Sequence, residues 1–284
     1  MHSPTFLVIG AARSGSTYLA RNLMAHPEIF LPVQKELHFF DRDYEEGWEH
    51  YLQFFEDVAP QHHAVGEATP TYMCSSETAC RIHEHLPNAR LIAILRDPVD
   101  RAYSHYWNIV AEQDRSSSMS YAAKKEAFPF SEVLDQYSRL IEDGLYARNL
   151  KPFFERFGAD RIQTLIFEEV IQDPVQYFQR VYRFLDVDEH FESPLLKRNI
   201  NSSSQKHGRS SLMLRLYNFV TAYINVPVLA RFIENVNEVS YPSMDPEVRA
   251  HLADRFAEPN RELATLLGRP IPEWETNRLQ KRSQ

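Results

Sequence analysis

The chain has 284 residues, of which 43% are hydrophobic and 25% are charged, so it has enough apolar material for one large α/β domain. Its formal net charge of −8 excludes a general attraction to nucleic acid or to an anionic membrane, and we expect neither as a partner. Cys74 and Cys80 show neither a disulfide framework nor the spacing of a metal site, so we expect no metal.

The N-terminal residues Met1-His2-Ser3-Pro4 lead directly into an apolar run, without the basic stretch that opens a signal peptide. No segment of about 18 or more consecutive apolar residues follows, so the sequence predicts no membrane span. We therefore expect a cytoplasmic protein.

The first elements of the chain are typical of a nucleotide-binding α/β fold. Residues 5–9 are a short, continuous apolar run that ends at Gly10, as expected for a strand buried on both faces. A glycine-containing loop follows, and residues 18–25 then predict a helix with Ser16 or Thr17 as its cap.

Apolar strands alternate with helices along the rest of the chain. Further strands are predicted at 64–68, 90–95 and 161–167, and helices at 77–86, 98–112, 129–141, 146–157, 174–185, 211–223 and 245–267. The polar residues 113–127 have no hydrophobic period and predict a mobile loop. This order predicts a single α/β domain over residues 1–284, with a parallel central sheet flanked by helices.

The loop after the first strand predicts a phosphate site. Its pattern Gly10-x-x-x-x-Gly15-Ser16-Thr17 has the spacing of the ATP/GTP P-loop, but a serine, Ser16, occupies the lysine position. Inward-facing backbone amides and the N-terminus of a helix can still hold a phosphate, and Arg13 can supply a cation. The candidate binding residues are Arg13, Ser14, Gly15, Ser16 and Thr17.

A second anion site is predicted at the end of the strand at 90–95. Arg96 follows that strand, at the sheet edge where α/β proteins bind ligands. Ser104 lies two turns into the next helix and reaches the same anion if that helix passes alongside. The alternative for Arg96 is a surface ion pair with Asp97 or Asp100.

The segment Lys35-Glu36-Leu37-His38-Phe39-Phe40-Asp41 contains candidate acid–base residues. A hydroxyl becomes a good nucleophile only when its proton is removed, and a carboxylate within hydrogen-bond reach can take that proton. Glu36 is the first candidate. His38 would share a face with Glu36 in an extended segment, as an alternative base or a positioning group. The competing interpretation is that Glu36 is a solvated charge paired with Lys35.

Together, these three segments resemble the PAPS-dependent sulfotransferase superfamily, and most closely its heparan-sulfate-type branch and bacterial relatives. The resemblance implies a P-loop-like fold, Arg96 and Ser104 as ligands of the 3′-phosphate of PAPS, and Glu36 as the general base. Arg13 and the loop amides are then the first candidates to stabilise the leaving phosphate, and Lys35 is a further one.

Two further segments extend the resemblance. Lys206-His207-Gly208-Arg209 is similar to the family's late basic loop, which implies donor contacts from Lys206 and Arg209. The family commonly has a lysine in a Lys-Thr-Pro-x-Tyr motif at the second strand, where this chain has Ala68. This departure weakens the case for a heparan-like acceptor and leaves Glu67 as a candidate to line the site.

The resemblance implies transfer of a sulfuryl group from PAPS to a hydroxyl or amine of a sugar or small-molecule acceptor, with PAP as product and no metal. We expect the loop at 113–127, Trp48 and Tyr51 to form the rim of the acceptor cleft. A P-loop kinase-like phosphotransferase is one alternative, which the missing P-loop lysine disfavours. A non-catalytic nucleotide-binding module is the other, which Glu36 disfavours.

Overall fold

The computed structural model describes residues 2–113, 121–196 and 241–275. Its central sheet has five parallel strands in the order β2-β3-β1-β4-β5. The strands are β1 (Phe6–Gly10), β2 (Ile29–Phe30), β3 (Ala64–Ala68), β4 (Arg90–Leu95) and β5 (Ile162–Ile166). The predicted parallel sheet is confirmed. It has one strand more than expected, because the two residues of β2 are too few to show a hydrophobic period.

Helices connect the strands. The described α-helices are α1 (Ser16–Met24), α2 (Trp48–Gln53), α3 (Ser76–His85), α4 (Pro98–Gln113), α5 (Tyr121–Ala127), α6 (Phe130–Gln136), α7 (Arg139–Glu142), α8 (Tyr146–Phe157), α9 (Phe167–Gln172), α10 (Pro174–Leu185) and α11 (Pro246–Leu267). Within the described ranges, no helix is both long and apolar enough to cross a membrane.

The sheet is covered on both faces, which explains its continuous apolar strands. In β1, Leu7 and Ile9 pack in one core cluster with α3 and α8, and Phe6 and Val8 pack in the other with α1 and α10. A third cluster joins α4 to α11. Because both faces are filled, the carboxyl ends of the strands remain as the place for a ligand.

Three local expectations were wrong. Tyr121–Ala127 forms helix α5, although the whole of 113–127 was predicted to be a loop. The helix expected over 129–141 is two short helices, α6 and α7, which are separated after Gln136. Gly15 rather than Ser16 or Thr17 is the N-cap of α1, and no side chain caps this helix. The helix predicted at 211–223 lies outside the described residues.

Candidate active site

The phosphate loop connects the end of β1 to the start of α1. Gly15 has φ 95°, in the left-handed region that glycine tolerates best. A Cβ atom at this position would also lie 2.7 Å from the ring of Phe167. The backbone therefore requires glycine here, and the loop leads directly into the N-terminus of α1, where backbone amides are available to an anion.

Arg13 brings the two predicted anion sites together. Its Nε donates a hydrogen bond to Oγ of the buried Ser104 and its Nη1 donates to Asn108 Oδ1, both at 3.3 Å. Arg96 Nη1 donates to the carbonyl oxygen of Arg13 at 3.5 Å. Helix α4 thus passes alongside the loop, as the prediction for Ser104 required.

Positive charge accumulates at this point. Burial lowers the pKa of Arg13, and the charges of Arg96 and Arg101 lower it further, against opposing effects of Tyr241 and Glu112. Cations held this close to one another are a suitable environment for a bound polyanion, which would relieve their repulsion.

The partners of Arg96 are not Asp97 and Asp100, the two acids named above as alternatives. Asp97 Oδ1 accepts a hydrogen bond from the Val99 amide, and Asp100 pairs with Arg249. The Arg96 guanidinium instead lies 5.5 Å from the ring centroid of Phe167. No ion pair of Arg96 with Asp97 or Asp100 is observed in the described part of the chain.

The catalytic segment docks onto the end of β3 and onto the phosphate loop. The Glu36 amide donates to the Ala68 carbonyl at 3.2 Å. Lys35 Nζ donates to Glu36 Oε1 at 2.9 Å and to Thr17 Oγ1 at 2.7 Å. Glu36 is thus paired with Lys35, as the competing interpretation held, but the pair is anchored to the first turn of α1 and is not isolated on the surface.

Glu36 and His38 lie close together, although the segment is not extended. Both residues have left-handed φ values, 61° and 56°. His38 Nε2 is 3.8 Å from Glu36 Oε2, and His38 Nδ1 is 3.1 Å from Asp41 Oδ1. Thr71 Oγ1 donates to Asp41 Oδ2 at 2.5 Å. A row of polar side chains therefore runs from Thr71 through Asp41 and His38 to Glu36.

A buried carboxylate supports this segment from below. Glu67 is 1% exposed, and burial raises its pKa. Its Oε1 accepts hydrogen bonds from the hydroxyls of Tyr51 and Tyr72, and its Oε2 accepts one from Thr69 Oγ1. Thr69 Oγ1 in turn accepts a hydrogen bond from the His38 amide at 3.4 Å. Glu67 is therefore a support for the segment, and the expectation that it lines the site was wrong.

Of the predicted rim, Tyr51 is excluded by its burial, Trp48 is partly buried, and residues 114–120 lie outside the described residues. Tyr51 is fully buried, and Trp48 stacks on His85 with ring centroids 4.4 Å apart. Beside Asp41 the structure has instead a polar cavity of about 290 Å³. Its lining residues are Asp41, Arg42, Thr71, Cys74, Ser75, Arg139, Glu142, Asp143, Arg148 and Asn149.

Asp143 is the buried charge of this cavity. Its carboxylate lies 3.9 Å from Arg101 Nη1 and 3.8 Å from His105 Nδ1, and Arg139 Nε donates to it at 3.3 Å. Burial, assisted by the charge of Arg101, lowers the pKa of His105 to about 4. His105 is therefore neutral at pH 7, and the arginines balance the Asp143 charge.

Further residues support the predicted ones. The Tyr146 hydroxyl donates to the Arg96 carbonyl at 2.8 Å, and Asn108, which was not predicted, accepts from Arg13. Asp41 and Thr71 orient His38. Asn108 lies one helical turn after Ser104, which is the spacing that could have identified it. Lys206 and Arg209 lie outside the described residues, so their donor contacts stay a prediction.

The family described as "Sulfotransferase family" matches residues 51–192, half of the chain. The crystal structure of a sulfotransferase from Alicyclobacillus acidocaldarius superimposes with a TM-score of 0.68 at 26% identity. That match covers 97% of this chain and 100% of the other.

Two mouse (Mus musculus) proteins are similar in sequence. Bifunctional heparan sulfate N-deacetylase/N-sulfotransferase 4 is 29% identical over 99% of this chain and 32% of its own length. Heparan sulfate glucosamine 3-O-sulfotransferase 3A1 is 30% identical over 66% of this chain and 48% of its own length. The chain thus spans a third to a half of these relatives. The resemblance to heparan-sulfate-type sulfotransferases and bacterial relatives is confirmed, and the chain belongs to the sulfotransferase family.

Proposed function

We propose that this chain transfers a sulfuryl group from PAPS to a hydroxyl or amine of a polar acceptor, either a sugar or another small molecule. The observation that supports this best is the junction between Glu36 and the phosphate loop, made by Lys35 and Thr17. It holds a candidate base at the mouth of an anion site, where the transferred group would lie.

The residues around the loop fit such a donor. Amides at the start of α1 would hold the 5′-phosphate, with Ser14, Gly15, Ser16 and Thr17 forming the turn. Arg96, Ser104 and Arg13 would hold the 3′-phosphate, since Arg13 connects Ser104 to the loop. PAPS, when bound, supplies an activated sulfuryl group on the 5′-phosphate.

Glu36 would act as the general base. It accepts the proton of the acceptor hydroxyl while the oxygen forms a bond to sulfur, and the bond from sulfur to the phosphate oxygen breaks in line. His38 faces Glu36 through Nε2, and Asp41 fixes its Nδ1 side. His38 therefore lies beside Glu36, and it is the alternative base if Glu36 proves dispensable.

The cavity beside Asp41 is the best candidate for the acceptor. Its lining combines arginines, carboxylates, an amide and hydroxyls and contains no aromatic side chain. Such a surface offers many hydrogen bonds and little apolar contact, which suits a sugar or a polar amine better than a phenol or an alkyl alcohol. The relatives named above include an N- and an O-sulfotransferase, so both acceptor atoms belong to the proposal.

The test is a PAPS-dependent sulfation screen over amino sugars, neutral sugars, phenols and alkyl alcohols, read by the mass gain of one sulfuryl group and by PAP release. We expect product with PAPS and a polar acceptor. A parallel reaction with ATP and magnesium tests the kinase alternative. That alternative is disfavoured because position 16 has a serine where a P-loop kinase has a lysine. ATP-dependent phosphorylation without PAPS-dependent sulfation would overturn the proposal.

A further inference from the structure

We propose that Lys35 is a catalytic residue. Its ammonium group takes the role of the P-loop lysine, whose position in this chain is occupied by Ser16. In this role Lys35 contacts the 5′-phosphate of the nucleotide and stabilises the negative charge that develops there as the sulfuryl group leaves. The inference rests on the proposed function, because it needs a nucleotide whose 5′-phosphate is the leaving group.

The position of Lys35 supports this role. Its Nζ is 2.7 Å from Oγ1 of Thr17, the residue next to the position where a P-loop has its lysine. A lysine ammonium has three N–H donors. Among the described residues, Thr17 and Glu36 take two of them. The side chain is 31% exposed, so the third donor can reach a ligand in the cleft.

The neighbouring arginines contact other groups. The Arg13 guanidinium donates hydrogen bonds to Ser104 and Asn108 on α4. Arg96 lies over Phe167 and donates to the Arg13 carbonyl. Both arginines therefore suit the 3′-phosphate, whereas Lys35 contacts the start of α1 through Thr17.

The segment that carries Lys35 is also held at the end of β3. The Glu36 amide donates a hydrogen bond to the Ala68 carbonyl. Lys35 therefore lies on a segment that contacts both the start of α1 and the end of β3.

The step is balanced without another reactant. The acceptor oxygen forms a bond to sulfur, and its proton passes to Glu36. The bond between sulfur and the phosphate oxygen breaks, and the electron pair remains on the nucleotide. Lys35 keeps its proton throughout and neutralises part of this new charge.

A purely structural role would look different. If Lys35 only held Glu36 in place, the two side chains would form a partly exposed ion pair, which contributes little to stability. Its removal would then act through Glu36 alone. It would shift the pH dependence of turnover and leave nucleotide affinity unchanged.

The deciding experiment measures nucleotide binding by calorimetry for wild type, Lys35→Ala, Lys35→Arg and the control Lys151→Ala. Lys151 is a 70% exposed lysine on α8. We expect Lys35→Ala to weaken PAP by about 10-fold or more, while adenosine 3′-phosphate, which lacks the 5′-phosphate, changes by less than about twofold. Lys35→Arg should retain most of the PAP affinity. Equal effects on both nucleotides, or none, would overturn the inference.

Turnover provides the second measurement. In the same variants we expect Lys35→Ala to lose about 100-fold in kcat at every pH between about 6 and 9, with Lys151→Ala unchanged. A loss that disappears at high pH would reduce Lys35 to a positioning residue for Glu36. The calorimetric measurement needs no acceptor. If the chain bound PAP but sulfated no acceptor, the proposed activity would be refuted, whereas the Lys35 contact would not.

Discussion

Replacing Arg96 with alanine tests the donor site most directly. Arg96 follows β4, stacks over Phe167 and is joined to Ser104 through Arg13. A charge-assisted hydrogen bond to a phosphate contributes about 1.5–3 kcal/mol. We therefore expect Arg96→Ala to weaken PAP by about 2 kcal/mol, which is about 30-fold in Kd.

The comparison that isolates the 3′-phosphate uses adenosine 5′-phosphate as a second ligand in the same titrations. This ligand lacks the 3′-phosphate, so its affinity should change by less than about threefold. Arg90→Ala is the matched control, because Arg90 lies at the opposite end of the same strand. Melting temperatures of both variants report on folding. Equal weakening of the two nucleotides would refute the assignment of Arg96.

Three other outcomes follow from the described contacts. Glu36→Gln should lower turnover by about 100-fold or more and leave PAP binding unchanged. The control Glu49→Gln, at an exposed position, should have no effect on turnover. Wild-type turnover in Glu36→Gln would exclude Glu36 as the base. Burial lowers the pKa of His105 to about 4 from 6.5, so the unfolded chain binds this proton first on acidification. Stability should therefore fall by about 3 kcal/mol between pH 7 and 4, and urea unfolding of His105→Gln should lack this part of the slope. Burial and neighbouring carboxylates raise the pKa of Asp97 from 3.8 to about 7, so its contribution to stability is most favourable below the unfolded pKa and is lost as the pH rises from there to about 7. Asp97→Asn should therefore raise the Tm at pH 8, and an unchanged Tm would contradict this reasoning.

The sheet was predictable because its signals are local. Strands β3 and β4 have the predicted bounds, because each is a short, mostly apolar segment that is buried on both faces and followed by a polar residue. The mistakes also have local causes. In 113–127, polar residues hid helix α5, because helix formation tolerates a polar surface.

The active site was predictable only as separate motifs. The loop, Arg96 and Glu36 could each be named from the residue types that their chemistry needs. Their connections could not, because Arg13 and Ser104 are 91 residues apart in sequence. The left-handed φ at Glu36 and His38 was hidden too, because non-glycine residues adopt it only where surrounding contacts hold it.

The buried Glu67 also sets the direction of a hydrogen-bond chain. A threonine hydroxyl has a single proton, and Thr69 gives it to the Glu67 carboxylate. Only lone pairs of Thr69 are then left to face the His38 amide, which can only donate. The polarity of the turn that carries Glu36 and His38 is thus determined by a carboxyl group that is buried away from solvent. If a glutamine at position 67 oriented its amide to donate to Thr69, the Thr69 hydroxyl proton would lose the acceptor that now fixes its direction.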